Sequence, residues 1–318
     1  MTESTAGAAE LFGPVAEDLA AVELELRRSI DGDSPEVARP MAGLFAAGGK
    51  RIRPALVLLA AKCGAYDRPR LMPAATAVEL THAATLIHDD VIDHSPTRRG
   101  RPTIAAELGD EPAIVIGDFY FAKAYEHAAR TGVPEVVDIL AHTVMAICVG
   151  EVRQQAIRYR YSTGIEEYMR RIEAKTATLL AACCDIGALL GGLSGAQRKA
   201  LESYGRELGL AFQIADDVLD YTATEGEVGK PIGHDLHEGF ATLPLMLSSI
   251  DVADGRTLDE KESREIVGAV RKSDGPRIAL EKAHEHADAA RLHLRSVGVN
   301  EATAALASLA DYVVSRKL

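Results

Sequence analysis

Apolar positions recur at three- and four-residue spacing along nearly the whole chain, and the strict alternation of a half-buried strand is scarce. Alanine and leucine are abundant, while Gly, Pro, Asp and Asn interrupt the pattern at helical lengths. The periodicity predicts helices near 15–31, 37–47, 51–65, 72–94, 103–107, 112–131, 134–159, 164–191, 195–221, 240–252, 258–271, 276–296 and 300–316. Asp274-Gly275-Pro276 reads as a turn feeding a proline into a first helical position, and Ser194-Gly195 separates two long helices. No Gly-rich linker, low-complexity block or fixed-period repeat breaks the chain. The fold expected is all-α: a mobile N-terminus over 1–12, then a single-domain helical bundle over 13–318.

Two of these helices carry acid where the pattern is otherwise apolar. Asp89-Asp90-Val91-Ile92-Asp93 follows His82–His88, and Asp216-Asp217-Val218-Leu219-Asp220 follows Leu210–Ala215. Carboxylates this dense carry a desolvation penalty unless cations compensate them. Residues four apart share a helix face, so Asp89 projects with Asp93 and Asp216 with Asp220. Two such faces meeting across a central cleft would form a hard, oxygen-rich site suited to Mg²⁺ and the phosphates it carries.

Composition narrows the alternatives. A net charge of −12 argues against a nucleic-acid footprint and against broad attraction to anionic lipid. Met1 to Glu10 lacks the basic start and apolar run of a signal peptide. The longest apolar stretch, Ala177 to Leu193, contains Asp185 and three glycines, so it reads as a buried core helix and not as a membrane span. Cys63, Cys148, Cys183 and Cys184 have no zinc spacing and read as buried, reduced thiols of a cytoplasmic protein.

Cations cluster near the acids. Arg98-Arg99 follows the first cluster on a loop, in reach of a metal-bound phosphate that guanidinium forks would grip. Gly48-Gly49-Lys50-Arg51-Ile52-Arg53-Pro54 enters a helix with two glycines and three cations, a pattern that lets backbone N–H groups approach a second diphosphate. Lys175-Thr176 lies within the 164–191 helix, and Gly229-Lys230-Pro231 opens a Gly-rich loop able to fold over a cleft.

In this order the motifs resemble the trans-isoprenyl diphosphate synthases of the polyprenyl synthetase family, from about Gly48 to Pro244, and the medium- and long-chain polyprenyl diphosphate synthases in particular. The shared elements are the GGKRIRP loop, DDxxD followed by RRG, Lys-Thr, Gln-x-x-Asp-Asp-x-x-Asp and Gly-Lys-Pro. The resemblance implies that Asp89, Asp93 and Asp216 ligate Mg²⁺, about three ions with a bound diphosphate, supported by Asp90, Asp217 and Asp220. Arg98, Lys175, Thr176, Gln213 and Lys230 would hold the allylic diphosphate, with Lys175, Thr176 and Gln213 closest to the reacting carbon. Lys50, Arg53, His82, Arg99 and the backbone near Gly49 would hold isopentenyl diphosphate. The implied partners are these two diphosphates and a second copy of the chain, with transient membrane contact through a lipid product.

Two departures stand out. His94 occupies a position where many relatives carry an acid, and Glu238-Gly239-Phe240-Ala241-Thr242 replaces a Glu-Gly-Lys-x-Thr pattern, so its lysine is missing. Ala84 lies five residues before Asp89, and at ~1.5 Å per residue with small Thr81 and Thr85 beside it the wall below the first cluster is open to a product of roughly seven to ten isoprene units. The alternatives are a geranylgeranyl (four-unit) synthase, a non-catalytic subunit of a two-chain synthase, and a terpene cyclase. The cyclase fits poorly: such enzymes steer cations with aromatic faces, and this chain has no Trp and 6 Phe.

Overall fold

Helix follows helix from Ala16 to Val314. The structure, a computed structural model, describes residues 11–32, 34–46, 48–223 and 233–315. Its helices are α1 (Ala16–Asp31), α2 (Pro35–Ala46), α3 (Ile52–Lys62), α4 (Arg68–Ile92), α5 (Ile104–Leu108), α6 (Asp110–Arg130), α7 (Pro134–Ala156), α8 (Ile165–Ile172), α9 (Thr178–Leu190) and α10 (Gly195–Thr222). They continue as α11 (His234–His237), α12 (Leu243–Met246), α13 (Glu260–Lys272), α14 (Gly275–Leu294) and α15 (Glu301–Val314). A π-helical turn, Glu173–Ala177, joins α8 to α9. The all-α expectation holds. Residues 1–10 of the stretch expected to be mobile lie outside the described residues, but Phe12 within it is buried at 6% exposure.

The chain forms two compact units, each gathered from separate stretches. The first comprises residues up to Val144, Ala182–Glu202 and Ser296–Leu306; the second comprises Met145–Ala181, Ser203–Arg295 and Ala307 onward. Neither is a contiguous run, so the division differs from two domains in succession.

In the first unit α3 is the core. Ile52 and the run Pro54 to Ala61 are buried, as expected of a helix apolar on all sides. Gly187 and Gly191 allow their segment to rest on the α3 backbone: a Cβ on Gly187 would meet the Val57 carbonyl oxygen at 2.2 Å, and one on Gly191 the Ala61 oxygen at 2.8 Å. The apolar stretch around them is thus core, and among the described residues no helix is long and apolar enough to cross a membrane. Cys183 and Cys184 are buried as expected, and burial pushes the Cys183 thiol up to about 12. Cys148, expected to be buried, is exposed on α7.

In the second unit Tyr161, Tyr221, Leu236, Leu245, Val252, Leu258, Val267 and Val270 form a core around α12 and α13. The helix expected over 240–252 shrinks to the single turn α12. Serine chemistry explains this. Ser248 Oγ donates to the Leu245 carbonyl oxygen at 2.7 Å and accepts from the Ile250 N–H at 3.2 Å, diverting the backbone into a turn. A capping box of Asp259 and Glu262 then starts α13.

One feature the periodicity does not show is a small hairpin. Strands β1 (Thr97–Arg98) and β2 (Arg101–Pro102) pair antiparallel, with Arg98 opposite Arg101. Both central residues of the turn are left-handed, Arg99 at φ 52° and Gly100 at φ 74°, as a tight two-residue hairpin turn requires.

Candidate active site

The first acidic cluster closes α4. Asp93 is the C-cap, and the helix ends in a Schellman arrangement: His94 N–H bonds the Val91 carbonyl at 3.2 Å and Ser95 N–H that of Asp90 at 3.0 Å. His94 takes the left-handed position usually given to glycine, at φ 48°. The helix therefore stops ahead of Pro96. Asp90 is 3% exposed and receives Arg98 Nε at 2.9 and 3.0 Å on its two oxygens, with Nη2 at 2.8 Å from Oδ1. Burial raises the Asp90 carboxyl and Arg98 opposes it. Asp90 thus anchors the hairpin, while Asp89 and Asp93 flank it a turn apart and are less buried.

The basic loop lies beside this hairpin. A Cβ on Gly49 would stand 2.8 Å from Arg51 Nη1, so glycine lets that guanidinium close on the backbone, and Arg99 Nη1 lies 3.5 Å from the same point. Arg51 is left-handed at φ 51° and precedes α3. Its Nε donates to Glu23 Oε2 at 2.8 Å, its Nη1 donates to Glu79 Oε1 at 2.9 Å, and its Cζ lies 5.1 Å from the centre of the Phe45 ring. Burial opposes the Arg51 charge, but the two carboxylates prevail and hold its pKa above the usual value. For Arg53 burial prevails over Glu79 and lowers its pKa, and its Nε is buried without a hydrogen-bond partner among the described residues. His82 is pressed well below the ordinary histidine range by burial first, then by Arg53, Arg98, Arg99 and Arg51. The imidazole is neutral at physiological pH. Guanidiniums near a neutral ring have the chemistry to attract a polyanion. Lys50, in the same loop, is exposed.

Three of the four non-glycine residues with positive φ among those described, Arg51, His94 and Arg99, fall in these segments. Backbone strain of this kind collects at functional sites. On the helix below, Thr81 and Ala84 are fully buried, and the Thr81 and Thr85 hydroxyls bond the carbonyls of Ala77 and His82 at 2.9 and 2.8 Å.

The second cluster, in the second unit, repeats the burial pattern with different partners. Asp217 is 3% exposed, while Asp216 is exposed and Asp220 intermediate. Tyr168 Oη donates to Asp217 Oδ2 at 2.7 Å and Gln213 Nε2 to Oδ1 at 2.7 Å. Thr176 Oγ1 donates to Gln213 Oε1 at 2.6 Å, which makes a continuous Thr176–Gln213–Asp217–Tyr168 chain. Burial and then Asp235 push the Asp217 carboxyl up, against Gln213, Tyr168 and Arg171. Asp220 accepts weakly, at 3.3 Å, from the backbone N–H groups of both His234 and Asp235, so it also organises the turn leading to α11.

Lys175 and Thr176 sit in the π turn, where the extra residue per turn re-aims side chains. Lys175 Nζ lies 3.2 Å from Glu151 Oε2. Small residues grip this turn from two helices: a Cβ on Gly150 would meet that of Ala174 at 2.6 Å, and one on Gly209 the Ala177 Cα at 2.4 Å. Lys230 lies outside the described residues.

Within their units, the structure therefore gathers Gly49, Arg53, His82, Arg98 and Arg99, and likewise Thr176, Gln213 and Asp217. Sequence reasoning missed Arg51, Glu79, Tyr168 and Arg171. Glu79 had a signal: it is the lone acid of the apolar run 74–87 and is 5% exposed. Tyr168 had none, because nothing in the sequence separates it from an ordinary core aromatic.

An all-helical fold with two Asp-rich helices, each with its middle aspartate buried and held by protein side chains, defines a class of diphosphate-handling proteins. The polyprenyl synthetase family model matches residues 34–274, and the chain belongs to that family. It is 39% identical over 313 residues to heptaprenyl diphosphate synthase component 2 of Geobacillus stearothermophilus, covering 96% of this chain and 98% of that protein. The crystal structure of a decaprenyl diphosphate synthase from Rhodobacter capsulatus superposes with a TM-score of 0.89 at 34% identity, covering 96% of this chain and 98% of that one. A polyprenyl synthase from Caulobacter crescentus CB15, complexed with calcium and isoprenyl diphosphate, gives 0.91 at 34% identity and 98% coverage of both chains.

Proposed function

We propose that this chain is a Mg²⁺-dependent trans-prenyltransferase that condenses isopentenyl diphosphate head-to-tail onto an allylic diphosphate to give a medium- or long-chain polyprenyl diphosphate. The observation that carries the reading is membership of the polyprenyl synthetase family, in a chain whose Gly49 loop and hairpin bring Arg51 and Arg99 together. These cations suit the diphosphate of isopentenyl diphosphate, held by Arg53, His82, Arg99, Lys50 and the Gly49 backbone. Arg98, Lys175, Thr176, Gln213 and Lys230 would hold the allylic diphosphate.

The acidic residues fit a hard dication. Their donors are all carboxylate oxygens, and among the described residues no three His, Cys, Asp or Glu side chains form a preassembled cage. Mg²⁺ is commonly held by one or two carboxylates together with substrate phosphates and water. Asp89, Asp93 and Asp216 would hold the ions, about three with the diphosphate bound, with Asp90, Asp217 and Asp220 in support. Bound Mg²⁺ would supply charge to the departing diphosphate. The side chains do the rest. Thr176 and Gln213 present oxygen dipoles to the allylic cation as the C–O bond breaks, and the isopentenyl double bond attacks that carbon. The proton then lost goes to the leaving diphosphate, and the helices exclude the water that would quench the cation.

The test is an assay of the purified chain with Mg²⁺, labelled isopentenyl diphosphate and separate allylic starters, with products resolved by length. Elongation from one starter or more is expected; none from any would overturn the proposal.

A homodimer is part of the same reading. On α7, Met145, Val149 and Val152 follow one another at heptad spacing and are 54%, 59% and 72% exposed; on α6, Val115 and Phe119 are 64% and 38% exposed. Val149→Glu with Val152→Lys should convert a dimer to a monomer in sedimentation. A second reading has a specific basis, since the Geobacillus relative is named as one component of its synthase. Both acidic clusters are complete in this chain, so in such a pair it would be the catalytic member. Elongation that begins only when a second, different chain is added would favour that reading. The four cysteines are all free thiols, in keeping with a cytoplasmic location.

A further inference from the structure

Phe240 lies between two guanidiniums. Arg158 Cζ is 5.8 Å and Arg171 Cζ 5.7 Å from the centre of its ring. Each arginine also covers a second aromatic: Arg158 lies 5.2 Å from the Tyr159 ring centre and Arg171 5.4 Å from that of Tyr168. Both are pinned by hydrogen bonds. Arg158 Nε donates to the Glu238 carbonyl oxygen at 2.7 Å and Nη2 to Glu238 Oε2 at 2.5 Å, while Arg171 Nη2 donates to the Ala241 carbonyl oxygen at 2.8 Å. The turn is tightly made. Tyr159 is left-handed at φ 65°, and a Cβ on Gly239, itself at φ 90°, would meet the Tyr159 ring at 2.4 Å.

Filling a core explains little of this. A leucine would fill the space at Phe240, which is 7% exposed, without drawing in two like charges. Two guanidiniums on one ring repel each other unless acid lies nearby. The acid is there. Glu238 pairs with Arg158 at 2.5 Å, and Arg171 lies over the same Tyr168 whose hydroxyl holds Asp217.

We infer that Phe240 is a positioning residue whose ring clamps Arg158 and Arg171 beside the second acidic cluster, so that Arg171 supplies, from α8, the positive charge a lysine at position 240 would otherwise bring. The ligand class served is a Mg²⁺-bound diphosphate, so the inference rests on the function proposed above. Phe240 acts through the arginines and touches no substrate. A lysine in its place would be a third cation in a pocket that already holds two.

The experiment is calorimetric titration of the full chain with inorganic pyrophosphate in Mg²⁺, with melting curves of the metal-free proteins alongside. Arg171→Gln and Phe240→Leu should each weaken pyrophosphate binding about tenfold, and the double variant should be no weaker than either, because the two residues act as one unit. Phe240→Tyr, which keeps a cation-binding face, should bind as the parent does. Phe240→Lys should bind more weakly. Parent-like binding by Arg171→Gln, additive losses in the double variant, or tighter binding by Phe240→Lys would each overturn the clamp. Should Phe240→Leu fail to melt cooperatively, Phe240→Tyr and Phe240→Lys decide the matter. A parent that binds pyrophosphate and responds to these variants yet elongates no allylic starter would sink the proposed reaction and leave the clamp standing.

Discussion

Glu79 Oε1 lies 2.9 Å from Arg51 Nη1, while its other oxygen, Oε2, is buried with no hydrogen-bond partner among the described residues. The same is true of Arg53 Nε, two residues from Arg51. An orphaned acceptor and an orphaned donor near one another are each unfavourable, and such groups persist where a ligand completes the network. Glu79→Gln keeps the shape but removes the charge that helps hold Arg51. It should destabilise the fold by about 2 kcal/mol, read as a lowered Tm, because a half-buried guanidinium loses one of its counter-charges. It should also raise the KM for isopentenyl diphosphate more than it lowers kcat, since the loop it fixes carries Lys50 and Arg53. An unchanged KM would confine Glu79 to stability.

That pair marks where the sequence stopped being informative. Helices and acidic clusters were legible because helical periodicity and buried carboxylates are local signals. The division of labour within a cluster was not. Asp89 and Asp90 are neighbours of one type, yet Asp90 is the one buried against Arg98, and that depends on a hairpin whose register no spacing reveals. Likewise Lys175 and Thr176 were singled out, but the π turn that aims them packs closely on Gly150 and Gly209, residues distant in sequence. Phe240 was visible as a missing lysine. The arginines that flank it come from two other segments and were invisible.

His82 makes the fold sensitive to acid. Its folded pKa lies well below the unfolded value near 6.5, through burial and then the surrounding arginines. Folding therefore favours the neutral ring. The stability this provides is complete above the unfolded pKa and is lost as pH falls below it, because the unfolded chain then binds a proton that the folded chain refuses. The slope from this one group approaches about 1.4 kcal/mol per pH unit below pH 6.5. Denaturant titrations of the parent and His82→Gln between pH 7.5 and 5 should diverge, with the variant losing less stability per unit. Parallel curves would mean that His82 protonates freely in the fold.

Gly209 should resist any side chain. A Cβ there would fall 2.4 Å from the Ala177 Cα, a backbone atom that cannot swing aside. Gly209→Ala must shift the π turn or α10, at a cost of about 1–3 kcal/mol. Since Thr176 bonds Gln213 across the same contact at 2.6 Å, kcat should fall more steeply than the loss of Tm alone implies. Gly268→Ala, inside α13 where a Cβ meets nothing within 4 Å, is the control: it should leave kcat unchanged and raise Tm slightly, since alanine is the better helix former.

The proposed product length rests on α4 below the first cluster. Ala84 and Thr81 are fully buried, and Ala84 lies five residues, roughly 7.5 Å, before Asp89 along the helix. A growing polyprenyl tail directed down this helix passes small side chains, which underlies the proposal of a medium or long product. Ala84→Phe places a ring in that path. It should shorten the longest product by several isoprene units while leaving the first condensation, measured with the shortest accepted starter, within about threefold of the parent. Overpacking alone would lower Tm and slow every condensation alike, so the distribution of chain lengths, and not the rate, separates a blocked path from a damaged core. An unaltered distribution with a lowered Tm would move the ruler away from Ala84, to a residue on another helix.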